Sequence, residues 1–210
     1  MNINNYPKKI SVFPLSEVVF FPKTILPLNI FEKRYIQLVN DSMKDQRLFG
    51  MVQTKNTSSA KNVYEVGCLG KIINFNETGD GRFLINLSGI IRFRIIKELD
   101  NDKLYREFLV DYSDFSQDLK IINENKKYNK KDFLKKIEIF FKKKNYLINI
   151  KELEKQNFEQ LINTLCMISP ISIAEKQKLI ETTTSEEKIN LFEDIINFNL
   201  VDNFKNKTIQ

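Results

Sequence analysis

The chain contains no histidine, only two cysteines and only six glycines among its 210 residues. The first absence removes options directly. Serine–histidine and cysteine–histidine nucleophile activation both need an imidazole, and so do the histidine-bearing zinc sites. Two cysteines cannot furnish a four-cysteine zinc site. Cys68 and Cys166 lie far apart in apolar surroundings. Buried reduced thiols are the expectation, with a disulfide or a reactive thiol as the alternatives. So few glycines leave little room for a phosphate-cradling loop. Neither G-x-x-x-x-G-K-[ST] nor a G-x-G-x-x-G after a strand occurs. A serine–lysine dyad is not excluded by spacing, but no serine stands in a small-residue context. Glu186-Glu187 reads as acidic residues at a helix start, where the dipole favours them. No catalytic residue, metal site or cofactor is expected.

Long apolar runs are missing too. The densest one near the start, Val12 to Tyr35, is broken by Pro14, Pro22 and Pro27 and by Glu17 and Lys23. It falls short of the roughly 18 uncharged residues of a membrane span. No basic start, apolar core and small-residue cleavage site mark a signal peptide. A soluble, cytoplasmic protein with no membrane partner is the expectation. Hydrophobic content of 42% and charged content of 29% are those of a globular chain. At this length about 70% of the unfolded surface can be buried without metal or disulfide.

The first half has the short apolar runs of a β-rich domain. Ile10–Phe13, Thr24–Ile30 and Leu48–Thr54 are predicted strands, and Val63–Phe75, with Gly67 and Gly70, a bent one. The prolines are placed where strands or turns begin and end. Gly79-Asp80-Gly81 predicts a hairpin between Ile72–Phe75 and Arg82–Leu87. Ile91, Phe93 and Ile95 then alternate with Arg92, Arg94 and Ile96, a half-buried strand with two arginines on its other face, solvated or paired. Leu104–Asp114 pairs back. One helix, about Glu32 to Met43, interrupts this region, with Tyr35, Leu38, Val39 and Met43 on one face.

After a polar stretch the period becomes helical. Phe133, Ile137, Phe140 and Phe141 form one stripe; Phe158, Leu161, Ile162, Leu165 and Ile168 form another, stopped by Pro170. Ser172 with Glu175 and Thr184 with Glu187 have capping-box spacing. About four helices follow. The fold class is therefore α+β, with a β-rich domain over residues 1–118, a lysine-rich linker over 119–131 and a helical bundle over 132–210.

Net charge is +6, and it is concentrated. Lysines 126, 127, 130, 131, 135, 136, 142, 143 and 144 stand against Asp132 and Glu138, so this segment is +7 and the remainder −1. Lys131, Lys135, Lys136, Lys142 and Lys143 form a candidate basic patch for phosphate or acidic polypeptide. It lacks the interleaved arginines and exposed aromatics that nucleic-acid readers recruit. A solvated linker followed by the outer face of an amphipathic helix is the preferred reading of it.

The stretch FPLSEVVFFPKTILPLNIFEKRY resembles the N-terminal domain of Lon proteases, which also occurs alone in small bacterial proteins. The matching pattern is P-L-x-x-V-x-F-P followed by L-P-L-x-I-F-E-x-R-Y. FGMV (49–52), VGCLGKI (66–72), DGRFLINLSGIIRFRI (80–95) and SPISIAEKQKLIE (169–181) follow in the family's order. The resemblance implies a PUA-like pseudo-barrel followed by a helical bundle. It also implies engagement of unfolded or partner polypeptide, with a protease or chaperone as a further partner. The ATPase and protease domains of full Lon have no counterpart motif here, so proteolysis is not implied. Phe31, Glu32, Arg34 and Tyr35 match F-E-x-R-Y and are the candidate partner-binding residues; packing of the helix onto the barrel is their other reading. RNA binding through the barrel and the lysine face is the alternative function.

Overall fold

The computed structural model describes residues 3–56, 59–120 and 129–201. They fall into two compact units that divide after Lys120.

The first unit is a closed β-barrel. Its strands are β1 (Lys9–Leu15), β2 (Ile25–Ile30), β3 (Leu48–Asn56), β4 (Ser59–Val63), β5 (Val66–Glu77), β6 (Phe83–Leu99) and β7 (Arg106–Asp111), with helix α1 (Lys33–Met43) after β2. The order β1-β7-β6-β5-β3 closes on itself, because β3 returns to pair with β1 in parallel. Strands β4 and β2 extend the wall from β3 and β6. Apolar residues recur at every second position of β1, β6 and β7, as a wall with one buried face requires. Ile10, Val12, Phe49, Leu69, Ile91 and Phe93 fill the interior. Tyr35 anchors α1 by stacking on Phe13 with ring centroids 3.9 Å apart.

The two strands expected over 82–87 and 91–96 are one strand, β6, of 17 residues. It survives two bulges in its partner ladder, between Leu69 and Gly70 and between Ile72 and Asn74. Gly89 lies at the first. A Cβ there would stand 2.2 Å from the Phe21 carbonyl oxygen, so only glycine lets the 21–22 backbone cross. The hairpin at Gly79-Asp80-Gly81 forms as read, with Gly81 at φ +80°. Pro27 is not at a strand end: it lies inside β2, paired with Asn86. The Thr24 carbonyl accepts from Gly89 N at 2.9 Å, so alternation turns the backbone of Ile25, Pro27 and Asn29 away from β6. A proline on that outer edge forfeits no ladder bond and blocks addition of another strand. Pro14 likewise lies within β1, past the Lys9–Val12 span that pairs with β7.

Arg92 departs furthest from its expected exposed face. It is 2% exposed and its guanidinium lies 4.5 Å over the Phe115 ring. Nε and Nη2 donate to the two oxygens of Asp118 at 2.9 and 2.8 Å, and Arg92 N donates to the same carboxylate at 3.0 Å. Asp118 comes from the 3-10 turn Ser113–Leu119 after β7, which this pair ties to the barrel. Arg94 keeps to the surface, paired with Asp114 at 3.0 Å. On α1, Ser42 rather than Met43 completes the buried face, its hydroxyl donating to Leu38 O at 2.8 Å.

The second unit holds five helices among the described residues: α2 (Lys130–Lys143), α3 (Ile150–Glu154), α4 (Phe158–Ile168), α5 (Ile173–Glu181) and α6 (Ser185–Val201). The short α3, with Asn149 as its cap, is the one the apolar period does not reveal. Both capping boxes form, Ser172 with Glu175 and Thr184 with Glu187. Ile137, Phe140, Leu161, Leu165, Phe192 and Ile196 make the core, while Ile168 is left exposed. Both cysteines are buried and neither forms a disulfide. The linker expected over 119–131 lies largely outside the described residues, as do Lys126 and Lys127.

Two substitutions probe the barrel. Gly89→Ala is expected to cost about 1–3 kcal/mol in denaturant unfolding, because backbone must give way on one side of the bulge. Asp118→Ala should cost about 3–5 kcal/mol by leaving a guanidinium buried and unbalanced, whereas the double variant Arg92→Met with Asp118→Leu should lose much less.

Candidate functional site

The register of β2, β6 and β5 sorts their outward side chains into rows across the sheet. Asn29, Leu84 and Asn76 form the first row, and Pro27, Asn86 and Asn74 the second. Ile25, Ser88 and Lys71 form the third. Residues directly opposite on paired strands share a face. The alternate residues Phe83, Ile85 and Leu87 are buried in the barrel. The first two rows carry four amides, a leucine and a proline, with no ionisable group. They border a cleft of about 700 Å³.

Ile73 is the extra residue of the β5 bulge and Ile90 that of β6. Both side chains line a second cleft of about 610 Å³, which also takes in Lys71 and Ser88 from the third row. The two clefts therefore adjoin on one continuous face. At its far end the hairpin turn is braced by Asp80, whose carboxylate accepts from Thr78 Oγ1 at 2.5 Å and Arg82 Nε at 2.7 Å. The Thr78 hydroxyl first, and then Arg82, hold the Asp80 carboxyl down to about 2.

Neutral amides and apolar side chains in an open trough suit a ligand that brings its own donors and acceptors without charge. An unpaired polypeptide backbone is such a ligand.

Comparison with known proteins identifies the family. Residues 9–197 match the family model described as the ATP-dependent protease La (LON) substrate-binding domain. The chain belongs to that family. A Lon protease of Malacoplasma penetrans is 28% identical over 195 residues, covering 86% of this chain and 24% of its own length. Lon protease 2 of Myxococcus xanthus is 27% identical over 115 residues, covering 53% of this chain and 14% of its own. The chain thus spans a quarter or less of these two relatives. Among solved structures, the N-terminal domain of a Mycobacterium avium complex Lon protease superposes with a TM-score of 0.67 at 12% identity. That likeness covers 90% of this chain and 98% of the other. A Lon N-terminal domain protein from Xanthomonas campestris gives 0.64 at 18% identity, covering 89% and 97%. The Lon N-terminal fold, a closed barrel with helices, is shared by all three. No helix among the described residues is long and apolar enough to cross a membrane.

The F-E-x-R-Y residues of this Lon-type chain divide between two roles. Tyr35 is buried against Phe13, and burial pushes its phenol up despite the neighbouring Arg34. Phe31 is 64% exposed. Glu32 is the N-cap position of α1 but makes no side-chain cap bond. It pairs instead with Arg34 at 2.8 Å, and Arg34 lies 4.5 Å over the Tyr35 ring. Phe31, Glu32 and Arg34 are therefore the members of the motif with surface to offer a partner.

The lysines also divide. Lys143 Nζ donates to Leu200 O near the end of α6, and Lys130 Nζ donates to Glu154 O at 2.7 Å and Gln156 O at 2.6 Å. These cations complement helix C-terminal carbonyls inside their own unit. Lys131, Lys135 and Lys142 are exposed and Lys136 half-buried, with Lys135 3.6 Å from Asp132. Sequence reasoning missed the amide rows altogether. Their only trace is asparagine at every second position of I-N-F-N on β5, answered by Asn86 across the hairpin.

The Asp80 brace has a titration signature. A carboxyl lowered on folding favours the folded turn above its unfolded value near 4 and loses that effect as pH falls through about 2. Carboxyl-carbon NMR should place Asp80 near 2, and Thr78→Ala should move it up toward the ordinary aspartate range.

Proposed function

We propose that this chain is a non-enzymatic binding module that takes up unstructured polypeptide on the outer β2–β6–β5 face. The observation that carries the reading is the pair of uncharged rows, Asn29–Leu84–Asn76 and Pro27–Asn86–Asn74, along an open cleft. Amide side chains both donate and accept, so they meet the main chain of any sequence. The apolar residues between them take side chains without demanding a particular one. The family's description as a substrate-binding domain supports the same reading. Phe31, Glu32 and Arg34 add an aromatic and a balanced charge pair for a partner, and delivery to a protease or chaperone in the cytoplasm is the role in which such a module serves.

The RNA alternative rests on Lys131, Lys135, Lys136 and Lys142, and salt separates the two. Four phosphate contacts, at a slope of about −0.9 each in log affinity against log salt, would lose roughly 10²-fold in affinity between about 50 and about 200 mM salt. Binding of a carboxymethylated, permanently unfolded protein, followed by fluorescence anisotropy, is expected to change only a few-fold over that range. Leu84→Asp should weaken it about tenfold or more, as removal of a central contact does. Reversing those four lysines to glutamate should leave it unchanged. Binding indifferent to Leu84→Asp but abolished by the lysine reversal would overturn the reading in favour of phosphate.

A further inference from the structure

The carboxamides of the uncharged rows have no partners within the chain. Among the described residues Asn29, Asn74, Asn76 and Asn86 make no side-chain hydrogen bond, although Asn86 is half-buried; the other three are exposed. Each holds donors and an acceptor on one planar group. Their spacing is set by the sheet, and it differs between the sheet's two directions. Along β5, Asn74 and Asn76 are two residues apart, about 6.8 Å in an antiparallel strand. Along β6, Leu84, Asn86 and Ser88 repeat that interval, with no shift in their pairing to Asn29, Pro27 and Ile25. Across the strands, neighbouring columns stand only about 4.8 Å apart.

We infer that the polypeptide bound here is held as an extended segment along β6, with every second side chain against the face and uncharged. The inference rests on the polypeptide reading above and names the conformation bound and the part of the sequence that is read. An extended chain turns a side chain to one face every second residue, at the same interval of about 6.8 Å as the rows. Laid along β6, it stays in step with them. Laid across the strands, it falls out of step by about 2 Å at each column, more than the spread of hydrogen-bond lengths. A helix fits neither direction, since its turn rises about 5.4 Å and its main-chain groups are already paired. Over β6 the segment lies between the Asn74–Asn76 column on one side and Asn29 on the other. In an extended chain the N–H and C=O of one residue point to the same side, and those of the next residue to the opposite side. One carboxamide can therefore accept from the N–H and donate to the C=O of a single residue. Asn74 and Asn76 then serve residues two apart, and Asn29 serves the residue between. Charge complementarity sets the pattern of side chains. Those turned down meet Leu84, Asn86 and Ser88, where no ionisable group balances a charge. Those turned up stay in water, where either sign is tolerated. On β5 the bulge at Ile73 breaks the interval, so the matched segment is short.

The test compares two labelled peptides of about nine residues and identical composition, followed by anisotropy at concentrations where both are monomeric. One alternates valine with lysine or glutamate, so that all charge falls on one face of an extended chain. The other sets the valines at helical spacing, which puts charge on both faces of an extended chain. The alternating peptide should bind about tenfold or more tightly. Asn74→Ala with Asn76→Ala, at two exposed positions, should leave the melting temperature unchanged and weaken the alternating peptide about tenfold. Equal binding of the two peptides, or binding of neither, with carboxymethylated protein still bound, would overturn the inference and leave the polypeptide reading standing. A preference that survives the double variant would place the segment elsewhere and overturn it as well. Failure to bind either peptide or the unfolded protein would overturn both readings.

Discussion

The barrel and its outer face both depend on one continuous strand. The first half of β6 pairs with β2 and β5, and its second half with β5 and β7. Breaking it at the middle would separate the outward rows from the barrel that holds them. Gly89 is the point where that break is avoided. The chain there must bulge, admit the Phe21–Pro22 backbone at close range and still hand the ladder on from Gly70 to Leu69. A side chain at this position would force apart the two backbone segments that meet there. The bulges also turn the extra residues Ile73 and Ile90 toward the second cleft, which a regular ladder would not do.

The charge distribution follows the same architecture. Arg92 and Asp118 neutralise each other out of water, and the pair joins the last turn of the unit to the middle of β6. Breaking such a pair costs more than forming it gains, so its effect is to fix one arrangement rather than to add large net stability. In the helical unit, by contrast, lysines are put to structural use at the ends of α3 and α6. Charge density along a sequence and charge available to a ligand are therefore different quantities.

Much of this was legible in the chain. The hairpin turn, α1, the two capping boxes and the helical stripes each have a local cause, a turn glycine, an N-cap oxygen or a 3.6-residue period, and each formed. Arg92, read as solvated or paired, is paired, but its burial was not foreseen because alternation assigns a face without saying what covers it: Phe115 and Asp118, more than 20 residues on, close over that side. Pro27 misled because a proline marks an edge as readily as an end. The amide rows were hidden for a related reason. Asn29, Asn74, Asn76 and Asn86 come from three strands, and only the register brings them together. In a chain so rich in asparagine no single one of them stands out.

The chemistry of those rows bears on how such a face can be used repeatedly. An apolar groove alone would hold folded proteins' stray patches and unfolded chains with little distinction, and a charged groove would select by composition. Amides set between apolar residues demand something else: unsatisfied main-chain donors and acceptors, which folded proteins have already paired and unfolded chains have not. Each amide contact replaces one that water also makes, so its net contribution is small, about 1 kcal/mol, and several must act together. On the proposed reading, binding would be weak for any one segment and tolerant of sequence. Pro27 on the edge would help to keep it reversible, since a strand adding itself to β2 would have to do so past a residue with no hydrogen to give.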